Sequence, residues 1–235
     1  MLELTGLSRR FGGLTVIDDL SLRVAQGEIV GILGPNGAGK STLFNLIGGN
    51  LAPNAGHVVY EGRDITRMRV WDRSRLGIGR TFQIPRPFTH MSVFENVLVA
   101  AIHGGRLALA RAKQRALEVL ERTGLAHRQA LPAGELALLD LKRLELAKAL
   151  AQAPRLLLLD EIAGGLSEVE CEELLAIVGQ VHAGGTTIIW IEHVVLALRR
   201  LATRIDVLHG GRFIASGAPD DVLVDQRVRE VYLGV

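Results

Sequence analysis

The residues best suited to chemistry in this 235-residue chain are Gly34-Pro35-Asn36-Gly37-Ala38-Gly39-Lys40-Ser41-Thr42. They match the pattern G-x-x-x-x-G-K-[ST] at every fixed position. The glycines let backbone N–H groups turn towards a phosphate, Lys40 adds a positive charge, and the Ser41 hydroxyl is a ligand for Mg²⁺. An apolar run precedes this loop and a helical pattern follows it, which is the context that the motif requires. A chance glycine-rich turn is therefore the weaker interpretation, and we predict a site for a nucleoside triphosphate.

Polar side chains also follow two later apolar runs. Asp160 and Glu161 come directly after four leucines, and a buried carboxylate needs a partner or a metal ion. Asp160 is placed to hold Mg²⁺, and Glu161 to polarise an attacking water. His193 ends another run; alone it is equally a core histidine, and beside the other groups it is a candidate γ-phosphate contact. Because ligands bind at the carboxyl ends of parallel strands, we expect one site to gather these three residues and Lys40.

The elements that must position these groups alternate between strand and helix patterns. Near the start, period-two patterns predict a small antiparallel sheet around the strand that leads into the loop. Apolar strands in the last third predict a mostly parallel sheet covered on both faces. The strand patterns are residues 2–4, 20–24, 28–33, 57–60, 76–80, 155–161, 186–193, 204–209 and 211–217, with turns at 11–13 and 53–56. The helical patterns are residues 42–47, 93–101, 107–122, 136–151 and 168–182.

Composition places the chain among ordinary globular proteins. It is 48% hydrophobic and 22% charged, with a formal charge of +2, which gives no reason to expect a nucleic-acid partner. The single cysteine, Cys171, excludes an internal disulfide and fits a reducing compartment. Neither a signal peptide nor a membrane-spanning run is evident. We expect a soluble cytoplasmic protein that contacts membranes through a partner.

With these motifs in place, the chain resembles the nucleotide-binding subunit of an ABC transporter from end to end. Residues 34–42 correspond to the Walker A loop and residues 156–160 to the Walker B strand. The resemblance implies that ATP and Mg²⁺ are bound and that ATP is hydrolysed. It also implies that Phe11 stacks on adenine and that Val16 lies on the same base. Ser41, Gln83 and Asp160 would hold the metal ion, and Gln83 would also sense the lytic water. Glu161 would be the catalytic glutamate and His193 the switch histidine. From the residues alone, Phe11 is first interpreted as a core aromatic, although its place in an exposed-looking turn leaves room for stacking on a base.

The same resemblance implies a fold and a set of partners. The fold is α/β, with a phosphate-loop NTPase (RecA-like) core, an N-terminal antiparallel β subdomain and an inserted α-helical subdomain. We expect one nucleotide-binding domain over residues 1–235, with the helical subdomain at residues 85–150 facing membrane subunits. The implied partners are integral membrane permease subunits, a second ATPase subunit and, indirectly, a periplasmic or extracellular solute-binding protein. The chain would then lie on the inner face of the cell membrane.

A finer resemblance is to the larger ATPase subunit of branched-chain amino acid importers. Two of the sequence elements that carry this resemblance, Ile191-Glu192-His193 and Val231-Tyr232-Leu233-Gly234, also occur in urea importers and in the lipopolysaccharide-export ATPase. Those substrate classes therefore stay open. The elements are Arg9-Arg10-Phe11-Gly12-Gly13, Arg80-Thr81-Phe82-Gln83, Met91-Ser92-Val93-Phe94-Glu95-Asn96-Val97, Ile191-Glu192-His193 and Val231-Tyr232-Leu233-Gly234.

The chain departs from the family at its signature, Leu-Ser-Gly-Gly-Gln. The matching residues are Leu136-Ala137-Leu138-Leu139-Asp140, which lack the hydroxyl and both glycines and place a carboxylate towards phosphate. Side chains at the glycine positions obstruct close backbone approach to a γ-phosphate. A milder departure is Ile162, where proline usually follows the glutamate, with Gly165-Leu166-Ser167 where a loop ending in Asp is common.

Each ATP in this family lies between the Walker A loop of one subunit and the signature of the other. A homodimer of this chain would have two compromised sites, so we predict a heterodimer that hydrolyses ATP mainly over this chain's own loop. We also predict docking on membrane subunits through Arg86, Pro87 and Phe88.

Two other function classes stay open. One is a nucleotide-binding switch subunit with little turnover, because the signature is degraded. The other is a non-transport ABC protein acting on nucleic acid or ribosomes, a class that usually has a second nucleotide domain or a long coiled-coil insertion, neither of which occurs here.

Overall fold

The computed structural model describes residues 1–233. The strands are β1 (Leu2–Phe11), β2 (Leu14–Val24), β3 (Ile29–Leu33), β4 (Ala55–Tyr60), β5 (Arg63–Asp64), β6 (Ile78–Arg80), β7 (Leu156–Asp160), β8 (Thr187–Ile191), β9 (Arg204–His209) and β10 (Arg212–Gly217). The α-helices are α1 (Lys40–Gly48), α2 (Val70–Arg75), α3 (Val93–His103), α4 (Leu109–Arg122), α5 (Leu138–Ala151), α6 (Glu168–Ala183), α7 (Val195–Leu201), α8 (Pro219–Val224) and α9 (Gln226–Leu233).

The chain forms two compact units. The first contains residues 1–73 and the described residues from Thr187 onwards, and the second contains residues 74–186. The predicted helices are confirmed, and the bounds of α3, α4, α5 and α6 differ from the expected ones by no more than two residues. Of the described helices, α2, α7, α8 and α9 were not predicted; each is eight residues or shorter. Among residues 1–233, none of the helices has both the length and the hydropathy of a membrane span.

The first unit contains an antiparallel sheet in the order β2–β1–β4–β5. Leu4 of β1 lies opposite Leu22 of β2 and Val58 of β4, and all three side chains are buried. The predicted turn at residues 53–56 is wrong in its second half, because Ala55 and Gly56 already belong to β4.

β3, the strand before the phosphate loop, does not belong to this antiparallel sheet. The antiparallel sheet was predicted around that strand, and this part of the prediction is wrong. β3 pairs in parallel with β8 and β9, and β10 pairs antiparallel with β9. All five residues of β3 are buried, whereas β1 and β2 alternate between buried and exposed positions. A strand buried on both faces is typical of a parallel sheet, and alternation is typical of an antiparallel one.

The second unit pairs β6 with β7 in parallel and packs α3 against α4 and α5. A capping box begins α3, where the Ser92 hydroxyl accepts from the Glu95 backbone and Glu95 accepts from Ser92. The hydrogen bonds from Ser92 lower the pKa of Glu95. A second capping box, between Ser167 and Glu170, begins α6. All residues of β3, β7 and β8 are buried, so the strands that lead to Lys40, Glu161 and His193 expose no side chain to solvent.

Candidate nucleotide-binding and catalytic site

The phosphate-type loop connects β3 to α1 in the first unit. Gly39 is the N-cap of α1, with a φ of 108°, and no side chain caps this helix end. Lys40 is 6% exposed, and its Nζ donates to the carbonyl oxygens of Gly34 at 2.6 Å and Pro35 at 3.1 Å. The ammonium therefore lies against the loop backbone. The uncapped N-terminus of α1 supplies backbone donors and a positive dipole end suited to an anion.

Two glycines allow this loop to pack closely on neighbouring backbone. A Cβ on Gly34 would lie 2.3 Å from the carbonyl oxygen of Leu208, and a Cβ on Gly39 would lie 2.8 Å from that of Val16. Gly211 donates its N–H to the carbonyl of Ala38 at 3.2 Å. The loop is therefore held between β2 and the turn after β9, and Val16 lies beside it.

Phe11 and His193 are the other two predicted ligand contacts in this unit. Phe11 ends β1 with 44% of its surface exposed, and the Arg9 guanidinium carbon lies 4.6 Å from the centre of its ring. His193 follows β8 with a side chain that is 55% exposed. Its backbone N–H donates to the buried Glu192 carboxylate at 3.2 Å. Both rings are therefore accessible to a ligand.

The C-terminal ending also contacts the loop, which the sequence did not predict. Tyr232 of α9 hydrogen bonds with the backbone of Gly34, and the phenol lines an apolar cavity with Leu33 and Val195. Burial raises the pKa of Tyr232 to about 12, and the hydrogen bond acts in the opposite direction. Gly234, the last residue of the ending that resembles branched-chain importers, lies outside the described residues.

In the second unit, Asp160 ends β7 and is 5% exposed. Its carboxylate pairs with the Arg80 guanidinium at 3.0 Å, and its backbone N–H donates to the Thr81 hydroxyl at 3.1 Å. Sequence reasoning assigned no role to Arg80 or Thr81, although both lie in the run that ends at Gln83. The structure therefore fixes the position of Asp160 from both its backbone and its side chain.

Glu161 and Gln83 meet directly. The Gln83 Nε2 donates to the Glu161 Oε2 at 2.5 Å. The buried Lys142 of α5 donates to the backbone oxygens of Gln83 at 2.9 Å and Glu161 at 3.1 Å. Sequence reasoning missed Lys142; the available signal was its place one helical turn before Leu146, on the buried side of the helix.

The signature positions lie at the start of α5. Ala137 is the N-cap, without a side-chain cap, and Leu138 is 42% exposed. Asp140 is 9% exposed and pairs with Arg143 at 3.3 Å and Arg128 at 3.6 Å. Two arginines of its own unit therefore hold the Asp140 carboxylate, which the sequence did not indicate, and its placement towards the phosphate of a partner subunit stays a prediction.

The oxygen atoms expected to serve Mg²⁺ have the right chemistry for that ion. Ser41 lies exposed in the first turn of α1, and Asp160 is a buried carboxylate at a strand end. Mg²⁺ is typically held by one or two protein oxygens, waters and the phosphates of the nucleotide. Within residues 1–233, no three His, Cys, Asp or Glu side chains form a metal-binding cluster.

Comparison with known proteins agrees with this geometry. A family model described as "ABC transporter" matches residues 17–164, and one described as "Branched-chain amino acid ATP-binding cassette transporter" matches residues 214–235. The chain is 36% identical to the high-affinity branched-chain amino acid transport ATP-binding protein LivG of Salmonella typhimurium, covering 100% of this chain and 98% of LivG. It is 33% identical to the lipopolysaccharide export system ATP-binding protein LptB of Acidithiobacillus ferridurans, covering 100% and 97%.

The fold comparison gives the same family. The crystal structure of the ADP conformation of MJ1267, an ATP-binding cassette of an ABC transporter, superposes with a TM-score of 0.91 at 31% identity, covering 100% of this chain and 99% of that one. The α/β cassette fold, the glycine loop with its lysine, and the carboxylates after β7 are therefore found together in one chain. The chain belongs to the ABC transporter family, as an ATP-binding cassette with ATPase activity.

Proposed function

We propose that this chain hydrolyses ATP to drive the import of branched-chain or related amino acids through separate membrane subunits. The observation that carries the substrate class is the match of residues 214–235 to the branched-chain amino acid cassette model, because the match over the core is shared by the whole family. The identity to LivG over the full length also supports it. The nearly equal identity to LptB makes lipopolysaccharide export the second candidate.

The nucleotide is bound by groups of the first unit. Lys40 and the backbone N–H groups of residues 34–42 bind the β- and γ-phosphates, since the loop already holds an ammonium beside an uncapped helix end. Phe11, with its exposed ring, stacks on the base, and Val16 contacts the same base. His193 contacts the γ-phosphate through its exposed imidazole.

Hydrolysis depends on the carboxylates of the second unit. Ser41, Asp160 and Gln83 would hold Mg²⁺, which when bound neutralises charge on the phosphates. The Glu161 carboxylate accepts a proton from the attacking water as the water oxygen bonds to the γ-phosphorus. The bond from the γ-phosphorus to the oxygen that bridges to the β-phosphate breaks, and ADP leaves with that oxygen. The Gln83 amide donates to one carboxylate oxygen of Glu161 and so restricts its rotation.

The loop that follows Gln83 is proposed as the docking point for the membrane subunits. Phe88 is 53% exposed, and its backbone N–H and carbonyl both bond to the Asn96 side chain, at 2.8 and 3.1 Å. The backbone of Arg86 is held on both sides, by Glu145 at 2.7 Å and Lys148 at 2.7 Å. A rigid backbone that carries an exposed aromatic side chain is typical of an interface anchor.

Transport of a defined solute tests the substrate class. The chain is purified with its membrane subunits and reconstituted in vesicles, with leucine, urea and lipopolysaccharide offered separately in the presence of ATP. We expect ATP-dependent accumulation of leucine and stimulation of ATPase by a leucine-loaded binding protein. Stimulation by lipopolysaccharide or urea alone would contradict amino acid import, and failure to copurify with any integral membrane protein would contradict the transport role.

We further propose that the working ATPase is a heterodimer. Leu138 and Leu139 replace the signature glycines. The Leu138 side chain is exposed, and one of its methyl groups lies 3.3 Å from where a Cβ on Gly165 would be. A glycine at position 138 would leave this space open. We expect little ATPase from the chain alone and strong turnover after mixing with a second ATPase subunit that has an intact signature. Strong turnover by the chain alone would contradict the asymmetry. Tight ATP binding with negligible turnover in both preparations would instead favour a switch subunit.

A further inference from the structure

Lys142 is a buried cation to which the proposed hydrolysis gives no role. It is 4% exposed and belongs to α5. Its Nζ donates to the carbonyl oxygens of Gln83 at 2.9 Å and Glu161 at 3.1 Å. Removing an ammonium from water is costly unless acceptors replace its hydration. These two carbonyl oxygens therefore stabilise the buried ammonium of Lys142. By binding both of them, the ammonium also links the backbone at Gln83 to the backbone at Glu161.

Those two segments carry the side chains that must act together. Gln83 and Glu161 are separated by 78 positions in sequence, yet their side chains bond at 2.5 Å. Glu161 also has a φ of 45°, in the left-handed region. A residue other than glycine is strained in that conformation, which persists only where the surroundings hold it. The bond from Lys142 to the Glu161 carbonyl is one of the contacts that hold it.

Other side chains of α5 hold the same loop but do not make this connection. Glu145 accepts from the backbone N–H of Arg86 at 2.7 Å, and Lys148 donates to the Arg86 carbonyl at 2.7 Å. These contacts lie three residues beyond Gln83. Lys142 therefore makes a connection that these two side chains do not. Arg67, an exposed cation outside this loop and outside α5, serves as the control.

We propose that Lys142 is a positioning residue for ATP hydrolysis, whose ammonium joins the backbones of Gln83 and Glu161 so that the Glu161 carboxylate is held for proton transfer. The proposal rests on the proposed role of Glu161. Without the ammonium, Glu161 relaxes from its left-handed backbone, and misplacement of a general base by about 1 Å lowers turnover steeply. Nucleotide affinity, which depends on groups of the first unit, stays unchanged.

The test compares ATPase of the assembled transporter containing Lys142→Met, Lys142→Arg or the control Arg67→Met. We expect Lys142→Met to lower kcat at least ~10-fold with KM for ATP changed less than ~2-fold, the split expected when an interaction acts only in the transition state. Lys142→Arg retains donors for both carbonyls and keeps kcat within ~3-fold of the wild type. Arg67→Met lowers kcat less than ~2-fold. If Lys142→Met does not assemble, Lys142→Gln, which keeps a donor without the charge, is expected to give an intermediate kcat.

A double variant separates positioning from general support of the fold. If Lys142 acts through Glu161, adding Lys142→Met to Glu161→Gln lowers kcat less than ~2-fold further, whereas independent effects multiply. Multiplying losses, or a kcat for Arg67→Met as low as that for Lys142→Met, would overturn the role of Lys142. Full turnover of Glu161→Gln alone would instead overturn the role of Glu161, so the two failures are distinguishable.

Discussion

The helix that follows the phosphate loop depends on one buried arginine, and replacing it is expected to destabilise the first unit. Arg73 is 1% exposed. It donates from Nη1 to the carbonyls of Leu46 at 2.6 Å and Ile47 at 2.7 Å, both in the last turn of α1. It also donates to the carbonyls of Thr66 at 2.9 Å and Met68 at 3.1 Å. Burial lowers its pKa to about 10, so the guanidinium is charged at neutral pH.

The loss in the free energy of unfolding depends on which carbonyl oxygens lose their hydrogen-bond donor. The bonds to Leu46 and Ile47 are buried, whereas those to Thr66 and Met68 are only partly buried, so water can replace the latter. A buried acceptor left without a donor costs about 1–3 kcal/mol, so Arg73→Met is expected to cost about 4 kcal/mol in the free energy of unfolding. At about 2–4 °C per kcal/mol for a chain of this size, the melting temperature falls by roughly 8–16 °C.

Urea and thermal unfolding of the purified chain, followed by circular dichroism, measure this effect. Arg67→Met, which removes an exposed arginine nearby, is the matched control and is expected to lie within about 0.5 kcal/mol of the wild type. Arg73→Lys is expected to lie between, because one ammonium has three donors for four carbonyls. A loss below about 1 kcal/mol for Arg73→Met would refute the reasoning, since the buried carbonyls would then have found other partners.

Three further changes have definite expected outcomes. Lys40→Ala removes a charge-assisted contact worth about 1.5–3 kcal/mol, so calorimetry should show ATP affinity reduced roughly 10- to 100-fold, and unchanged affinity would count against the loop assignment. Phe88→Ala should leave ATP affinity intact but lower transport in reconstituted vesicles at least ~10-fold, and intact transport would remove the docking role from Phe88. Burial raises the pKa of the Asp206 carboxyl group. The folded chain therefore retains a proton on Asp206 at pH values where the unfolded chain has lost it. The contribution of this group to the free energy of unfolding then falls as pH rises above about 4. Asp206→Asn should abolish that fall in urea titrations across this range, and parallel curves for wild type and variant would contradict it.

The sequence predicted those parts of the site whose chemistry is local. The loop between β3 and α1 and the carboxylates after β7 were predictable, because a fixed motif and a buried apolar strand each occupy a few consecutive residues. The fold class was predictable for the same reason. The sheet that contains β3 was not, because the hydrophobic patterns of strands do not specify which strands pair.

The parts that sequence reasoning missed depend on contacts between distant segments. The ion pair between Asp140 and Arg128, which precedes α5 in the chain, was not indicated by any sequence pattern. Lys142 and Arg73 have charged side chains that a sequence pattern assigns to solvent, and their burial follows only from backbone carbonyls brought together by the fold. Buried charges of this kind become visible only when their acceptors are located in three dimensions.

The central claim is that ATP hydrolysis by this chain depends on Glu161, and Glu161→Gln in the assembled transporter tests it most directly. The substitution keeps the size of the side chain and removes the carboxylate that accepts the proton. Steady-state ATPase and the affinity for ATP are measured together, with Glu168→Gln, an exposed residue of α6, as the control. We expect kcat to fall at least ~100-fold, as loss of a general base requires, while ATP affinity and the Glu168→Gln control stay within ~2-fold of the wild type. Turnover near the wild-type rate in Glu161→Gln would contradict the account.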